Sequence, residues 1–208
     1  MLISTQVFAF LLTAVLLTAT PGPDNLMVLS VGMSRGKRAG MAFGLGCALG
    51  CLSHTALAVV GVSALVAASP VAFLLLKITG GVYLVGLGVQ ALRHAGGATI
   101  DADQAGEVSL QRLFAKGLLA NAINPKVVLF FLSFLPQFVD SSRDDVAWQL
   151  GLLGVLFTAQ AAILFGLLGY FAGSVGSWLS RKPSVGLWLD RLAGCVFIGL
   201  GIRIMVAY

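Results

Sequence analysis

Pro21-Gly22-Pro23-Asp24-Asn25 interrupts an apolar run that reaches from Leu2 to Ser34. Pro23 has no N–H to donate, and Pro21 and Gly22 discourage a continuous helix, so the run is predicted to break here. With Arg35 at a membrane surface, Asp24 lies eleven residues inward. At helical rise that is roughly 16 Å, about half of a ~30 Å hydrocarbon core. A carboxylate and a broken helix thus coincide near the bilayer midplane, the depth at which secondary transporters carry discontinuous spans.

The rest of the composition agrees with a bilayer. Hydrophobic residues make up 58% of the chain and charged residues 10%, against about 25% charged in an ordinary soluble domain. Mean hydropathy is +0.97. The 208 residues suit one helical bundle, a single transmembrane domain over 1–208. The net charge of +5 is spread over span ends without a groove-like stripe, so nucleic acid is not an expected partner. Cys47, Cys51 and Cys195 all lie in apolar stretches and imply neither a disulfide framework nor a metal site. No Lys or Arg precedes the first apolar run, so it is read as a retained span and not a cleaved signal.

Six spans are predicted, over about 3–34 (broken at Pro21–Pro23), 40–67, 71–92, 113–139, 146–173 and 185–206. The runs are continuous, unlike the ten-residue alternating segments of a β-barrel. Gly96 to Ser109 is the one clearly polar segment. Arg35, Lys37 and Arg38 lie in the first loop, Arg93, Arg112 and Lys116 flank the third, and Arg181, Lys182 and Arg191 surround the fifth. The second and fourth loops offer only Arg143. The odd loops are therefore predicted to be cytoplasmic, with both termini outside.

A shift of 113 residues lays the third span on the sixth, placing Pro70 on Pro183, Gly81 on Gly194, Gly86 on Gly199 and Gly88 on Gly201. Single letters match by chance in so Leu- and Gly-rich a chain, but a Pro and three Gly in register point to a repeat. The expected organisation is a first repeat over 1–95, a cytoplasmic loop over 96–112 and a second repeat over 113–208. Three spans per half puts the halves in opposite orientations, the inverted-topology arrangement.

Asn124-Pro125-Lys126 is the second half's counterpart of the first break, since Asn caps helices and Pro suits the first helical position. Lys126 lies ten residues past Lys116, about 15 Å at helical rise and again near mid-depth. Helices beginning at Pro23 and Pro125 offer unpaired N–H groups and partial positive charge, which suit a carboxylate. The candidate binding residues are Gly22, Pro23, Asp24, Asn25, Asn121, Asn124, Pro125 and Lys126, with Asp24 able to take an amino group or a proton. The competing account is two packing kinks holding Asp24 and Lys126 as a structural ion pair. Each such charge costs about 2.5–3.5 kcal/mol at a helix centre, which weighs against it. Lys77 and His54 each have a structural reading beside a role in the cavity: Lys77 snorkelling to the interface, His54 hydrogen-bonding in a packed contact. Gln160 is a further candidate to line a path. Glycines every four residues, Gly36, Gly40 and Gly44 and again Gly46 and Gly50, signal close helix packing. No phosphate loop, hydrolytic triad or paired-His zinc spacing occurs, so no catalytic residue, cofactor or metal is expected.

Taken together, Thr20 through Asn25, Arg38-Ala39-Gly40 to Gly50, Gly81 through Gly88 with Tyr83, and Asn121 through Gln137 with Leu189 through Gly194 and Gly199-Leu200-Gly201 resemble the LysE-type amino-acid exporters, in particular the RhtB branch. The resemblance covers essentially the whole chain. It implies a six-helix bacterial inner-membrane permease that expels neutral amino acids or close relatives, exchanging them for protons. The expected partners are a small amino-acid substrate, protons and the lipid bilayer; monomer and homodimer are both open. The alternatives are an exporter of another small solute or ion on the same fold, and a non-transporting membrane scaffold.

Overall fold

The computed structural model describes residues 4–20, 22–62, 69–93, 108–140, 143 and 145–206. Pro21, the end of the second expected span and most of the polar segment before Ser109 lie outside them. Every regular element among the described residues is helical.

The first run breaks as its prolines require. Helix α1, Ser4–Ala19, ends before the extended backbone of Gly22, and α2, Pro23–Arg35, begins with Pro in its first turn. The two pieces meet at 55°. Gly36 alone separates α2 from α3, Lys37–Leu57, and holds φ 87°, a left-handed conformation that a Cβ would penalise. Helix α3 then widens into a π-helical turn, Ala58–Val62. Helix α4 spans Pro70–Arg93.

The second break is made differently. Helix α5, Leu110–Ala122, starts at Ser109, whose side chain accepts from the Arg112 N–H. Asn124 then caps α6, Pro125–Leu129, by accepting from the Lys126 N–H at 3.0 Å. The chain continues through a π-helical turn, Phe130–Phe134, and a 3-10 turn, Leu135–Phe138. The bend between α5 and this second piece is 50°.

Helix α7 covers Val146–Tyr170, α8 Ala172–Arg181 and α9 Pro183–Val206. The fifth span thus ends at Tyr170, not Gly173, and the stretch between it and the sixth is a separate helix, α8, lying on α2. Its Gly176 meets the Met33 side chain, and Ala172 meets Gly32.

Three helices among the described residues are long and apolar enough to cross a membrane, and five spans result if each bent pair counts as one. The 24-residue α9 packs along α4. Large apolar side chains face outward, Ile123 at 79%, Val60 at 72% and Trp148 at 71% exposure, as suits a surface solvated by lipid.

Small residues set the helix approaches. Helix α3 is central. Along one face Gly46 lies against the Phe114 carbonyl and α5's Gly117 against the Phe43 carbonyl; along another, Gly40 meets Gly169 of α7. Between α4 and α9 the contacts are reciprocal. A Cβ at Gly81 would stand 2.8 Å from the Gly201 carbonyl, and one at Gly201 2.6 Å from the Gly81 carbonyl; Gly88 and Gly194 repeat this at 2.6 and 2.7 Å. Gly81 and Gly88 are the residues that the 113-residue shift lays on Gly194 and Gly201, and the same shift carries Pro70–Arg93 onto Pro183–Val206.

Candidate functional site

The two breaks face each other. Breaking a helix frees N–H groups on one piece and C=O groups on the other, and both kinds meet here. Gly22, Pro23, Asp24 and Asn25 from the first break line one buried cavity together with Asn121, Asn124 and Lys126 from the second. Its volume open to the centre of a water-sized sphere is about 20 Å³, which is room for about one water.

Asp24 is 5% exposed. One of its oxygens, Oδ2, accepts from Asn121 Nδ2 at 2.7 Å, and Oδ1 has no donor among the described residues. Asn121 is 1% exposed and ties the site to α3: its backbone carbonyl lies 2.9 Å from His54 Nε2, and its side-chain oxygen 3.5 Å from Cys51 Sγ. The same carbonyl accepts from the Asn124 N–H at 2.8 Å.

Lys126 is 8% exposed and makes no ion pair with Asp24. Its Nζ donates instead to the carbonyls of Leu17 at 3.2 Å and Thr20 at 3.3 Å, and lies 4.8 Å from the centre of the Phe197 ring. These carbonyls close α1, the negative end of its dipole, where a cation is stabilising. The structural ion pair is therefore not formed; the C-terminal carbonyls of a broken helix outcompete a carboxylate for the ammonium. Asn25 Nδ2 serves the same end, donating to the Thr18 carbonyl at 2.9 Å.

The remaining expected residues sit around this centre. His54 is buried beneath Asn121, outside the lining, which fits the packing role weighed for it. Gln160 Nε2 donates to Thr18 Oγ1 at 2.9 Å, while its buried Oε1 has no partner among the described residues. Pro125 begins α6 without lining the cavity. Lys77 is half-buried on α4, away from it. Leu17, Thr18, Cys51, Phe157 and Phe165 line it without having been expected to, and Phe197 covers Lys126. Phe157 and Phe165 lie eight residues apart on one face of α7, a spacing visible in the sequence, but apolar residues in an apolar chain carry no mark that sets them apart.

The two N-termini differ. At α6 the Asn124 side chain already occupies the Lys126 N–H. At α2 Gly22 supplies no side-chain cap, so the first-turn N–H groups of Asp24 and Asn25 have no intrahelical acceptor.

The family profile for the LysE type translocator matches residues 15–207. The chain belongs to the LysE family. Its relatives in this family include an "Uncharacterized membrane protein" of Vibrio cholerae, 35% identical over 201 residues and 96% of both chains. A "Homoserine/homoserine lactone efflux protein" of Salmonella typhi is 31% identical over 93% of each chain. A "Leucine efflux protein" of an Enterobacter species is 26% identical over 95% of this chain and 93% of its own. No solved structure matches the chain. LysE members are efflux transporters and not enzymes.

Proposed function

We propose that this chain is a secondary transporter that exports neutral amino acids or close derivatives from the cytoplasm in exchange for protons. The observation that carries the reading is the cavity itself. A carboxylate without an ion-pair partner among the described residues, an uncapped helix N-terminus and an amide network converge between two opposed breaks. The α2 N-terminus suits a substrate carboxylate, and the Asp24 oxygen that lacks a donor suits an amino group or a proton. Leu17, Val127, Phe157 and Phe165 complete the lining with apolar surface, which favours a side chain without charge.

In this reading six spans form two inverted repeats, an arrangement suited to alternating access. The 113-residue correspondence of α4 with α9 and their reciprocal glycine contacts fit a two-fold relation between the halves. In this conformation the cavity is too small for an amino acid, so transport requires the halves to part and widen it on one side at a time. The distribution of basic residues over the loops supports both termini lying outside, in a bacterial inner membrane.

The test is proton-driven efflux in inverted vesicles. Asp24→Asn should fold, insert and lose pH-driven transport; full activity would remove Asp24 from the mechanism. Challenging overproducing cells with inhibitory levels of single amino acids and their analogues identifies the substrate.

A further inference from the structure

A second concavity lies on the outer face of α3 and α7, with a volume of about 450 Å³ and an almost wholly apolar lining. Met41 and Leu45 form one wall; Ile163, Leu167, Tyr170 and Phe171 form the other. Gly166 lies between them, with no atom within 4 Å of where its Cβ would be. Ile163 to Phe171 is eight residues, roughly 12 Å along the helix axis, so the groove runs lengthwise.

One end of the groove is positive. Lys37 Nζ stands 4.8 Å from the centre of the Tyr170 ring, one helical turn before Met41. Arg38, the next residue, is also exposed, and the first turn of α3 holds no acidic residue. Neither cation has a carboxylate partner among the described residues. An apolar channel ending at two cations and an aromatic pair matches the two halves of an anionic phospholipid: an acyl chain and a phosphate headgroup. A second copy of the chain would have to bring its own acidic group to meet Lys37 and Arg38, whereas an anionic lipid carries its phosphate with it.

We propose that the α3–α7 groove binds an anionic phospholipid, acyl chain along Gly166 and headgroup phosphate against Lys37 and Arg38. This site lies apart from the cavity between the breaks and stands whether or not that cavity carries amino acids. Basic residues at a membrane surface attract anionic lipid with a strength that two of them raise to roughly tenfold or more.

The experiment exchanges the purified full chain into mixed vesicles of phosphatidylglycerol and phosphatidylcholine, extracts it gently and counts the lipids retained by native mass spectrometry. Phosphatidylglycerol should be retained roughly tenfold over its share of the mixture. Lys37→Gln with Arg38→Gln, both at the exposed surface, should bring retention to parity. Arg112→Gln with Lys116→Gln, a basic pair elsewhere, should leave the enrichment in place. Gly166→Phe should reduce retention of both lipids by filling the groove. Parity in the unaltered chain, or equal loss from the Arg112/Lys116 pair, overturns the proposal. So does efficient disulfide cross-linking of two copies through Ile163→Cys in these vesicles, which would assign the groove to a dimer contact.

Discussion

Asn121 Nδ2 donates to Asp24 Oδ2 at 2.7 Å, joining two residues 97 positions apart across the point where both interrupted helices meet. The same Asn121 holds Asn124, His54 and Cys51, so its amide is fixed from behind before it reaches the carboxylate. The Asp24 carboxylate lines the cavity and is held by this one oriented donor among the described residues.

Removing that donor isolates the carboxylate. Asn121→Ala should lower efflux at least tenfold while the protein remains in the membrane, since a hydrogen bond to a charged group is worth about 1.5–3 kcal/mol. Efflux from inverted vesicles, normalised to folded protein by size-exclusion profile, measures it. Unchanged efflux would mean that Asp24 does not depend on Asn121.

Lys126 bears on stability through the contacts it makes within the chain. Lys126→Met keeps the apolar stem beside Phe197 but strips the donor from the carbonyls of Leu17 and Thr20. The expected loss is about 2–4 kcal/mol, read as a fall of several degrees in thermal unfolding in detergent. Lys126→Arg should recover part of it. Equal melting temperatures for Lys126→Met and the unaltered chain would show that α1 needs no cation at its end.

The reach of sequence reasoning follows from how local each determinant is. Both breaks were legible because Pro23, and Asn124 with Pro125, act on their own backbone. The meeting of Asp24 with Lys126 at one cavity followed from counting residues inward from basic span ends. The partners of Lys126 were not legible: they are backbone carbonyls 106 and 109 residues away, and a carbonyl has no letter in the sequence. Helix α8 was hidden for a related reason. Ala172–Arg181 is too short to span and too polar to stand out, and it is helical because Gly32 and Met33 of α2 give it a face to pack on.

Glycines that look alike in the sequence should behave oppositely. Gly117→Ala drives a Cβ into the Phe43 carbonyl, which is backbone and has nowhere to move; a cost of about 1–3 kcal/mol is expected from overpacking. Gly86→Ala meets nothing within 4 Å and should be neutral or stabilising by up to about 1 kcal/mol, from the lower conformational freedom of Ala. Thermal unfolding of the two variants in one detergent compares them, and similar melting points would refute the α3–α5 packing described above.

The turn before α7 carries a pH-dependent clasp outside the spans. Asp145 receives two hydrogen bonds from Arg143, at 3.0 and 2.9 Å, and one from Gln149 at 2.6 Å, and Gln149 also holds both the N–H and the carbonyl of Asp140. The Arg143 bonds first, and the Gln149 bond after them, lower the Asp145 carboxyl to about 2. A carboxyl lowered on folding contributes stability that is whole above the unfolded value of about 4 and is lost as pH falls through its folded value. The clasp should therefore persist across the window from about 4 down to about 2. In Arg143→Gln the carboxyl should titrate nearer 4, so that the turn opens at a higher pH than in the unaltered chain. Carbon NMR of a selectively labelled Asp145 reads the midpoint in each, and coincident midpoints would leave Arg143 without a hold on the turn.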